Sequence, residues 1–108
     1  MKTITEAKIQ QDCYVWFTNN FARHKNGVMF SIPNESIGSQ QKKVNTGLLS
    51  GVSDTIVLYK GICMFVEFKT PTGRQSDTQK AFQLNVELQG FKYYIIRSLD
   101  EFKKIIPI

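Results

Sequence analysis

Near the start of the chain, apolar residues recur at helical spacing: Ile9, Cys13, Trp16 and Phe17, with Phe21 one turn further on. This spacing places them on one face of an amphipathic helix, which we predict over residues 5–21. Thr3 or Thr5 is suited to cap this helix, because a threonine hydroxyl accepts a hydrogen bond from a free N–H group of the first turn.

Runs of apolar and β-branched residues predict four strands, at residues 27–32, 55–59, 62–68 and 91–96. The second and third runs flank Lys60-Gly61, a short glycine-containing connection that is typical of a hairpin. Two further helices are predicted over residues 76–88 and 98–106. Each begins with Ser-x-x-Gln or Ser-x-x-Glu, the pattern of a capping box.

The order of these elements is helix, three strands, helix, strand, helix. It predicts an α/β fold in which helices flank a mixed β-sheet. The strand–helix–strand unit over residues 62–96 should form a right-handed crossover that sets the last strand parallel to the third. With 108 residues in the chain, we expect residues 1–108 to form one domain around one hydrophobic core.

The hairpin brings two carboxylates together. If Lys60-Gly61 is a two-residue turn, Asp54 lies directly across from Glu67, with Cβ atoms about 5 Å apart. Like charges in that position destabilise a hairpin, and a divalent cation held by both carboxylates would offset the repulsion. Lys69 shares a face with Glu67, because side chains alternate along a strand. Two acids and one lysine therefore converge where the hairpin ends.

This cluster suits metal-assisted hydrolysis, in which a cation activates water and stabilises charge on a phosphoryl oxygen. Lys69 would orient the water, act as its base, or stabilise the developing charge. The competing interpretation is an ordinary exposed hairpin with Glu67 and Lys69 as solvated charges. We favour the site, because the polar pair appears where an apolar run ends. Glu6 is ambiguous: it would either complete the metal site or stabilise the helix N-terminus electrostatically.

Net charge is +5 and the isoelectric point is about 9.3, which favours a polyanionic partner through phosphate neutralisation. Residues 35–50 are polar, basic and glycine-containing. We predict that they contact DNA through Lys42 and Lys43, with a solvated loop as the equally weighted alternative. Arg74 stands just before a helix N-terminus, a position suited to phosphate. Lys80 is the further candidate DNA contact in that helix.

Two cysteines, Cys13 and Cys63, are too few for a disulfide framework and lack zinc-site spacing. We expect both to be buried, reduced thiols. No apolar run is long enough to span a membrane, and the N-terminal residues lack the apolar stretch of a secretory signal. These features favour a cytoplasmic location.

Several motifs together resemble the PD-(D/E)XK nuclease superfamily, and more narrowly the virus-type replication-repair nuclease (VRR-NUC) domain. They are Gly47, Gly51-Val52-Ser53-Asp54, Val66-Glu67-Phe68-Lys69 and Gly73-Arg74-Gln75-Ser76-Asp77-Thr78-Gln79. The resemblance covers roughly residues 4–106. One departure is Ser53, which stands before Asp54 where the superfamily name has a proline.

The resemblance implies a restriction-endonuclease-like core and a divalent-metal-dependent endonuclease that acts on branched or nicked DNA. It also implies a setting in DNA repair, in the cytoplasm of a bacterium or of the host of a phage. The implied ligands of Mg²⁺ or Mn²⁺ are Asp54, Glu67, Glu6 and the backbone carbonyl of Phe68. Lys69 would be the catalytic lysine. Gln79 matches a helix glutamine of the family and would orient water or substrate, although the capping box also accounts for it.

Stand-alone proteins of this kind imply a junction-cleaving homodimer similar to archaeal Holliday-junction resolvases. The alternative function is a nucleic-acid-binding module that is non-catalytic or is activated by a partner. The combination of Asp54, Glu67 and Lys69 argues against a binding-only module, which has no need for opposed carboxylates. Sequence-specific cleavage of the restriction type is disfavoured, because 108 residues leave no visible recognition insert.

Overall fold

The computed structural model of the protein describes residues 4–33, 47 and 49–107. Its helices and strands are α1 Glu6–Asn20, β1 Val28–Ser31, β2 Thr55–Tyr59, β3 Ile62–Phe68, α2 Asp77–Leu88, β4 Lys92–Ile96 and α3 Leu99–Ile105. All these bounds lie within one residue of the sequence prediction. A 3-10 turn, Ala22–His24, follows α1 and was not predicted, because so short a turn has no apolar repeat to reveal it.

The strands of the described residues form one mixed sheet in the order β1-β2-β3-β4. Neighbouring strands pair antiparallel except for β3 and β4, which pair parallel. This arrangement confirms the α/β class and the parallel last strand. Tyr59 pairs with Ile62, which confirms the two-residue hairpin. Lys60 and Gly61 both have positive φ, 50° and 78°, as a type I′ turn requires.

One face of the sheet packs against α1 and α3 and forms the hydrophobic core. The apolar side chains that are almost completely buried there are Cys13, Phe17, Val57, Met64, Val66, Phe68 and Phe102. Each large apolar side chain buried in this way contributes about 1.5–3 kcal/mol. This face therefore supplies most of the hydrophobic stabilisation of the fold.

The opposite face carries α2 over β3 and β4. The Phe82 ring of α2 lies 5.9 Å from the ring of Phe65 and 6.1 Å from that of Tyr93. Side chains alternate along a strand, so Glu67 projects to the same side as Phe65, between the core residues Val66 and Phe68. The α2 face therefore receives the polar end of β3.

The serine and threonine caps lie where the sequence predicts them. The hydroxyl of Thr5 accepts a hydrogen bond from Lys8 N at 3.1 Å, and Ser76 and Gln79 form the complete, reciprocal capping box. Of the two hydrogen bonds of the second predicted capping box, one forms and the other does not. Ser98 accepts from Glu101 N, but the Glu101 carboxylate accepts from Arg97 N at 2.7 Å rather than from the Ser98 amide.

The two thiols are free but differ in their surroundings. Cys13 is completely buried, and burial, together with the nearby charge of Asp12, raises the pKa of its thiol to about 12. Cys63 is only half-buried, so the prediction of a buried thiol is wrong there. The reason is its position beside the exposed Leu58, where α2 does not cover the sheet. Of the helices described, none is long and apolar enough to cross a membrane.

Candidate active site

The ends of β2 and β3 bring the candidate residues together. Asp54 directly precedes β2, Glu67 and Phe68 end β3, and Lys69 follows. The loop before Asp54 is fixed by Gly51, which has a φ of +82° and lies against the first turn of α2. A Cβ atom at this position would stand 2.4 Å from the backbone of Thr78. Only glycine therefore lets the chain enter β2 along this path.

Asp54 is held by the backbone of the neighbouring strand. Its Oδ2 accepts a hydrogen bond from Phe68 N at 2.6 Å. The pairing of Thr55 with Val66 puts Asp54 level with Glu67, as predicted. The expected repulsion between these two carboxylates is therefore offset in part by the Phe68 N–H group and by the charge of Lys69, because both favour the ionised form of Asp54.

The pKa of Asp54 nevertheless lies above its ordinary value. Burial is the largest cause, since it disfavours the charged carboxylate, and the negative charges of Glu67 and Glu6 add to it. The Phe68 hydrogen bond and the Lys69 ammonium act in the opposite direction. A proton is thus held at Asp54 more tightly than at an exposed aspartate, and a bound cation would compete with that proton.

Glu67 is completely buried, although it is a carboxylate. Its Oε1 accepts hydrogen bonds from the hydroxyl of Tyr93 and from Gln75 Nε2, the latter at 3.1 Å. Its Oε2 is buried without a hydrogen-bond partner and lies 3.7 Å from Lys69 Nζ. A buried carboxylate oxygen that accepts no hydrogen bond costs free energy, which the neighbouring ammonium offsets only in part.

Lys69 is also nearly buried, with 8% of its surface exposed. Its backbone N–H donates to Ile96 O at 3.0 Å, which extends the pairing of β3 with β4 past the end of the strand. This contact fixes the backbone of Lys69, whose ammonium lies 3.7 Å from Glu67 Oε2. The competing interpretation of Glu67 and Lys69 as solvated surface charges is wrong, because both side chains lie inside the protein.

Sequence reasoning missed the partners of Glu67. Tyr93 is buried and its pKa is raised, first by burial and then by its hydrogen bond to the Glu67 carboxylate, so its hydroxyl keeps its proton and donates it. Its position opposite Phe65 in the parallel pair carries it to the Glu67 face. Alternation alone places Tyr93 on one of two faces, but the register of a parallel pair is not visible in the sequence.

Gln75 lies in the loop between β3 and α2, and the sequence predicts no contact between its side chain and Glu67. Arg97, for which the sequence predicts no role, holds this loop. Its guanidinium donates to Thr70 O at 2.6 Å and to Gly73 O at 2.7 Å. No local pattern reveals either contact, because both partners are distant in sequence.

The other candidates lie further from the paired carboxylates. Glu6 is exposed in the first turn of α1, on the side of the molecule where its charge acts on Asp54. The Gln79 side chain accepts from Ser76 N at 2.8 Å and so belongs to the capping box. The roles proposed for both residues remain predictions.

The candidate DNA contacts divide into two pairs. Arg74 and Lys80 are exposed at the start of α2, near the loop that carries Gln75. Lys42 and Lys43 lie outside the described residues.

The residues present fit a hard divalent cation. Asp54, Oε2 of Glu67 and the Phe68 carbonyl are oxygen donors, the type that Mg²⁺ and Mn²⁺ prefer, and the orphaned Oε2 is the observation that favours a ligand there. Two carboxylates leave coordination positions for water and phosphate. Among the residues that the structure describes, no group of three acidic, His or Cys side chains is close enough to form a complete cage.

Comparison with known proteins identifies the family. A model of the VRR-NUC domain matches residues 2–100, whereas a search of curated proteins found no match. One solved structure, a VRR_NUC domain, is 18% identical over 95% of each chain, with a TM-score of 0.67. Another, a VRR_NUC domain protein, is 16% identical over 97% of this chain and 87% of that chain, with a TM-score of 0.75.

At these identities the two solved structures show a shared fold. The family model extends over nearly the whole chain. The protein therefore belongs to the VRR-NUC domain family and is a nuclease-type domain.

Proposed function

We propose that this protein is an endodeoxyribonuclease that hydrolyses phosphodiester bonds in branched DNA with the help of Mg²⁺ or Mn²⁺. The observation that carries the proposal is the buried Oε2 of Glu67, which has no hydrogen-bond partner and lies beside Lys69 and the half-buried Asp54. A buried carboxylate oxygen kept free in this way is suited to bind a cation.

Asp54, Glu67 and the Phe68 carbonyl would hold the cation. Glu6 of α1 is proposed as a third carboxylate, although among the described residues it does not stand close enough to complete a group of three. When bound, the cation lowers the pKa of a coordinated water and stabilises the negative charge that develops on the phosphoryl group. Asp54 is preorganised for this role, because the Phe68 amide fixes its Oδ2 at 2.6 Å.

Lys69 is the residue that we propose to act on the attacking water. Its Nζ, 3.7 Å from Glu67 Oε2, is held near the ligand oxygen and can donate hydrogen bonds to the attacking water or to a non-bridging phosphate oxygen. Either contact orients the nucleophile and stabilises charge in the transition state. Near-complete burial strengthens these interactions, because water does not screen them.

The charge of the protein supports a polyanionic substrate. The net charge is +5, and the exposed Arg74 and Lys80 flank the start of α2, next to the loop that contacts Glu67. Phosphate contacts there would position the backbone beside the paired carboxylates. Lys42 and Lys43 are proposed to contribute from the segment that precedes Asp54.

The proposed homodimer would place two sites on the two strands of a junction. A strip of exposed apolar side chains supports it. Val28 of β1 is 50% exposed, Phe30 is 43% exposed, and Leu58 of β2 is 39% exposed. The three residues lie on the face that carries α2, on strands where α2 does not cover the sheet. The molar mass in solution tests this proposal, and a monomer at all concentrations contradicts it.

A cleavage assay tests the function directly. Labelled duplex, nicked, flap and four-way-junction DNA are incubated with Mg²⁺, Mn²⁺ or EDTA. We expect cutting of the branched substrates only with a metal, and its loss in Glu67→Gln. The matched control is Asp100→Asn, an acid-to-amide change at an exposed position of α3. Cutting in EDTA, or full activity of Glu67→Gln, contradicts the proposal.

A second candidate is a nucleic-acid-binding subunit that a partner activates. It is favoured by the absence, among the described residues, of a complete three-residue ligand group. This candidate predicts DNA binding without cutting by the isolated protein under every metal condition. Cutting that appears only after a cell extract is added would support it.

A further inference from the structure

Two residues outside the cation ligands hold Glu67 from one side. Its Oε1 accepts from the Tyr93 hydroxyl and from Gln75 Nε2, whereas its Oε2 accepts from no donor. We propose that Tyr93 and Gln75 are positioning residues that reserve Oε1, so that Glu67 binds a cation through Oε2 alone and the site discriminates Mg²⁺ from Ca²⁺. The inference rests on the proposed function of this site.

The packing of Tyr93 directs its hydroxyl to Oε1 of Glu67. Its side chain is 7% exposed, and its ring packs edge-on against Phe82 of α2 at 6.1 Å. The parallel pairing of β4 with β3 sets Tyr93 opposite Phe65, two positions before Glu67 on the same face. A buried hydroxyl left without an acceptor is costly, so Tyr93 stays on Oε1.

Gln75 is held both at its side-chain amide and through the backbone of its loop. Its Nε2 donates to Glu67 Oε1 at 3.1 Å and to Gln83 Oε1 of α2 at 2.9 Å, which uses both protons of the amide. The backbone of its loop is held by the two hydrogen bonds from Arg97. Gln75 therefore cannot leave Oε1 without losing contacts to α2 as well.

The discrimination between Mg²⁺ and Ca²⁺ follows from which oxygen of Glu67 is free to bind a cation. A carboxylate oxygen accepts about two hydrogen bonds, so Oε1 is saturated and Oε2 is open. A carboxylate held in this way binds through one oxygen. Mg²⁺ requires a small octahedral shell, whereas Ca²⁺ has a larger and flexible shell that also accepts both oxygens of one carboxylate. Releasing Oε1 should therefore favour Ca²⁺ relative to Mg²⁺.

The test is metal titration of the metal-free protein by calorimetry, with Mg²⁺ and Ca²⁺ separately. The variants are Tyr93→Phe, which keeps the ring, and Gln75→Met, which keeps the side-chain length. We expect each to weaken Mg²⁺ binding roughly 10-fold, as for other groups that orient a metal ligand. Ca²⁺ binding should weaken less, so that the ratio of the two affinities shifts toward Ca²⁺.

Matched controls separate positioning from folding. Tyr94→Phe changes the neighbouring tyrosine, which packs against the core on the opposite face, and Gln89→Met changes an exposed glutamine. Both should keep the wild-type affinity ratio. The positioning variants should melt lower than the controls, because each removes a hydrogen bond to the buried Glu67. All titrations are therefore run well below the lowest melting temperature, and the ratio of the two affinities is the readout. If Tyr93→Phe does not fold, Gln75→Met carries the test alone.

The outcomes distinguish the inference from the function on which it rests. Wild-type protein that binds Mg²⁺, with an unchanged Ca²⁺ to Mg²⁺ ratio in the folded positioning variants, overturns the inference and leaves the function standing. Wild-type protein that binds neither Mg²⁺ nor Mn²⁺ overturns the proposed function, and the inference falls with it.

Discussion

Phe68 and Glu67 are neighbours on β3, and both are completely buried, yet they face opposite sides of the sheet. Phe68 packs in the core with Phe102, at 6.4 Å between ring centroids, and every contact it makes favours folding. Glu67 is surrounded by polar partners, and its Oε2 lies near the Lys69 ammonium but accepts no hydrogen bond. The α1 face thus stabilises the molecule, whereas the α2 face holds a buried carboxylate beside Lys69, a pair whose net contribution to folding is small.

The largest expected effect is on the chemistry of the α2 face. Lys69→Ala should lower the rate of DNA cleavage by roughly 10²–10⁴-fold, the contribution of one positioned proton-transfer group. DNA affinity should change little, whereas the free energy of unfolding should fall by about 1–3 kcal/mol, because the buried Glu67 carboxylate loses the neighbouring ammonium. Single-turnover cleavage, DNA-binding titration and urea unfolding measure the three quantities.

The matched control for this prediction is Lys104→Ala, which changes an exposed lysine of α3. It should cut at the wild-type rate. If Lys69→Ala cuts as fast as Lys104→Ala, Lys69 has no role in the chemistry.

The opposite behaviour is expected on the α1 face. Phe68→Ala should lower the free energy of unfolding by about 3–5 kcal/mol, because it leaves a cavity in the core. Glu67→Gln should lower it by less, about 1–2 kcal/mol, because the Lys69 ammonium loses one carboxylate but keeps Asp54, whose repulsion by Glu67 is removed. Urea unfolding of both variants makes the comparison. Equal destabilisation would mean that Glu67 is a structural residue, and the contrast between the faces would disappear.

The two faces of the sheet also differ in how much of their structure could be predicted from the sequence. The α1 face follows from apolar spacing and alternation, so the helices, strands and Asp54–Glu67 alignment were predictable from local patterns. The complete burial of Glu67 and its contacts with Tyr93 and Gln75 were not. They depend on the register of a parallel pair and on a loop held by Arg97, both set by tertiary packing. The site was predictable as a cluster of residues, but its hydrogen bonds were not.

A titration in the core gives a smaller effect. The pKa of Cys13 is raised from 9.0 to about 12, so the folded state binds a proton that the unfolded state releases above pH 9. This contribution is fully present below pH 9 and is lost as pH rises toward 12. The loss approaches about 1.4 kcal/mol for each pH unit, at most about 4 kcal/mol in total.

Urea unfolding between pH 9 and pH 11 measures this loss, with Cys13→Ala as the comparison. The variant should be less stable at neutral pH, because it leaves a small cavity, but its free energy of unfolding should fall less steeply with pH. Tyr93→Phe is the control for the second buried group, whose pKa is also raised. Equal slopes for wild type and Cys13→Ala would show that the thiol ionises without penalty in the folded protein.

The smallest expected effect concerns Asp54, where a proton and a cation compete. Its raised pKa means that the metal-free folded state holds a proton more tightly than the unfolded chain does. In the metal-free protein this contribution to stability is present at low pH and is lost as pH rises from the ordinary aspartate pKa to the raised one.

A cation reverses the dependence, because it binds the ionised carboxylate. The rise in melting temperature caused by Mg²⁺ should therefore grow from acidic to neutral pH in the wild type and should stay small and nearly flat in Asp54→Asn. A wild-type Mg²⁺ effect that is independent of pH over this range would mean that the cation does not bind at Asp54, and it would separate the buried charge of the α2 face from any role in metal binding.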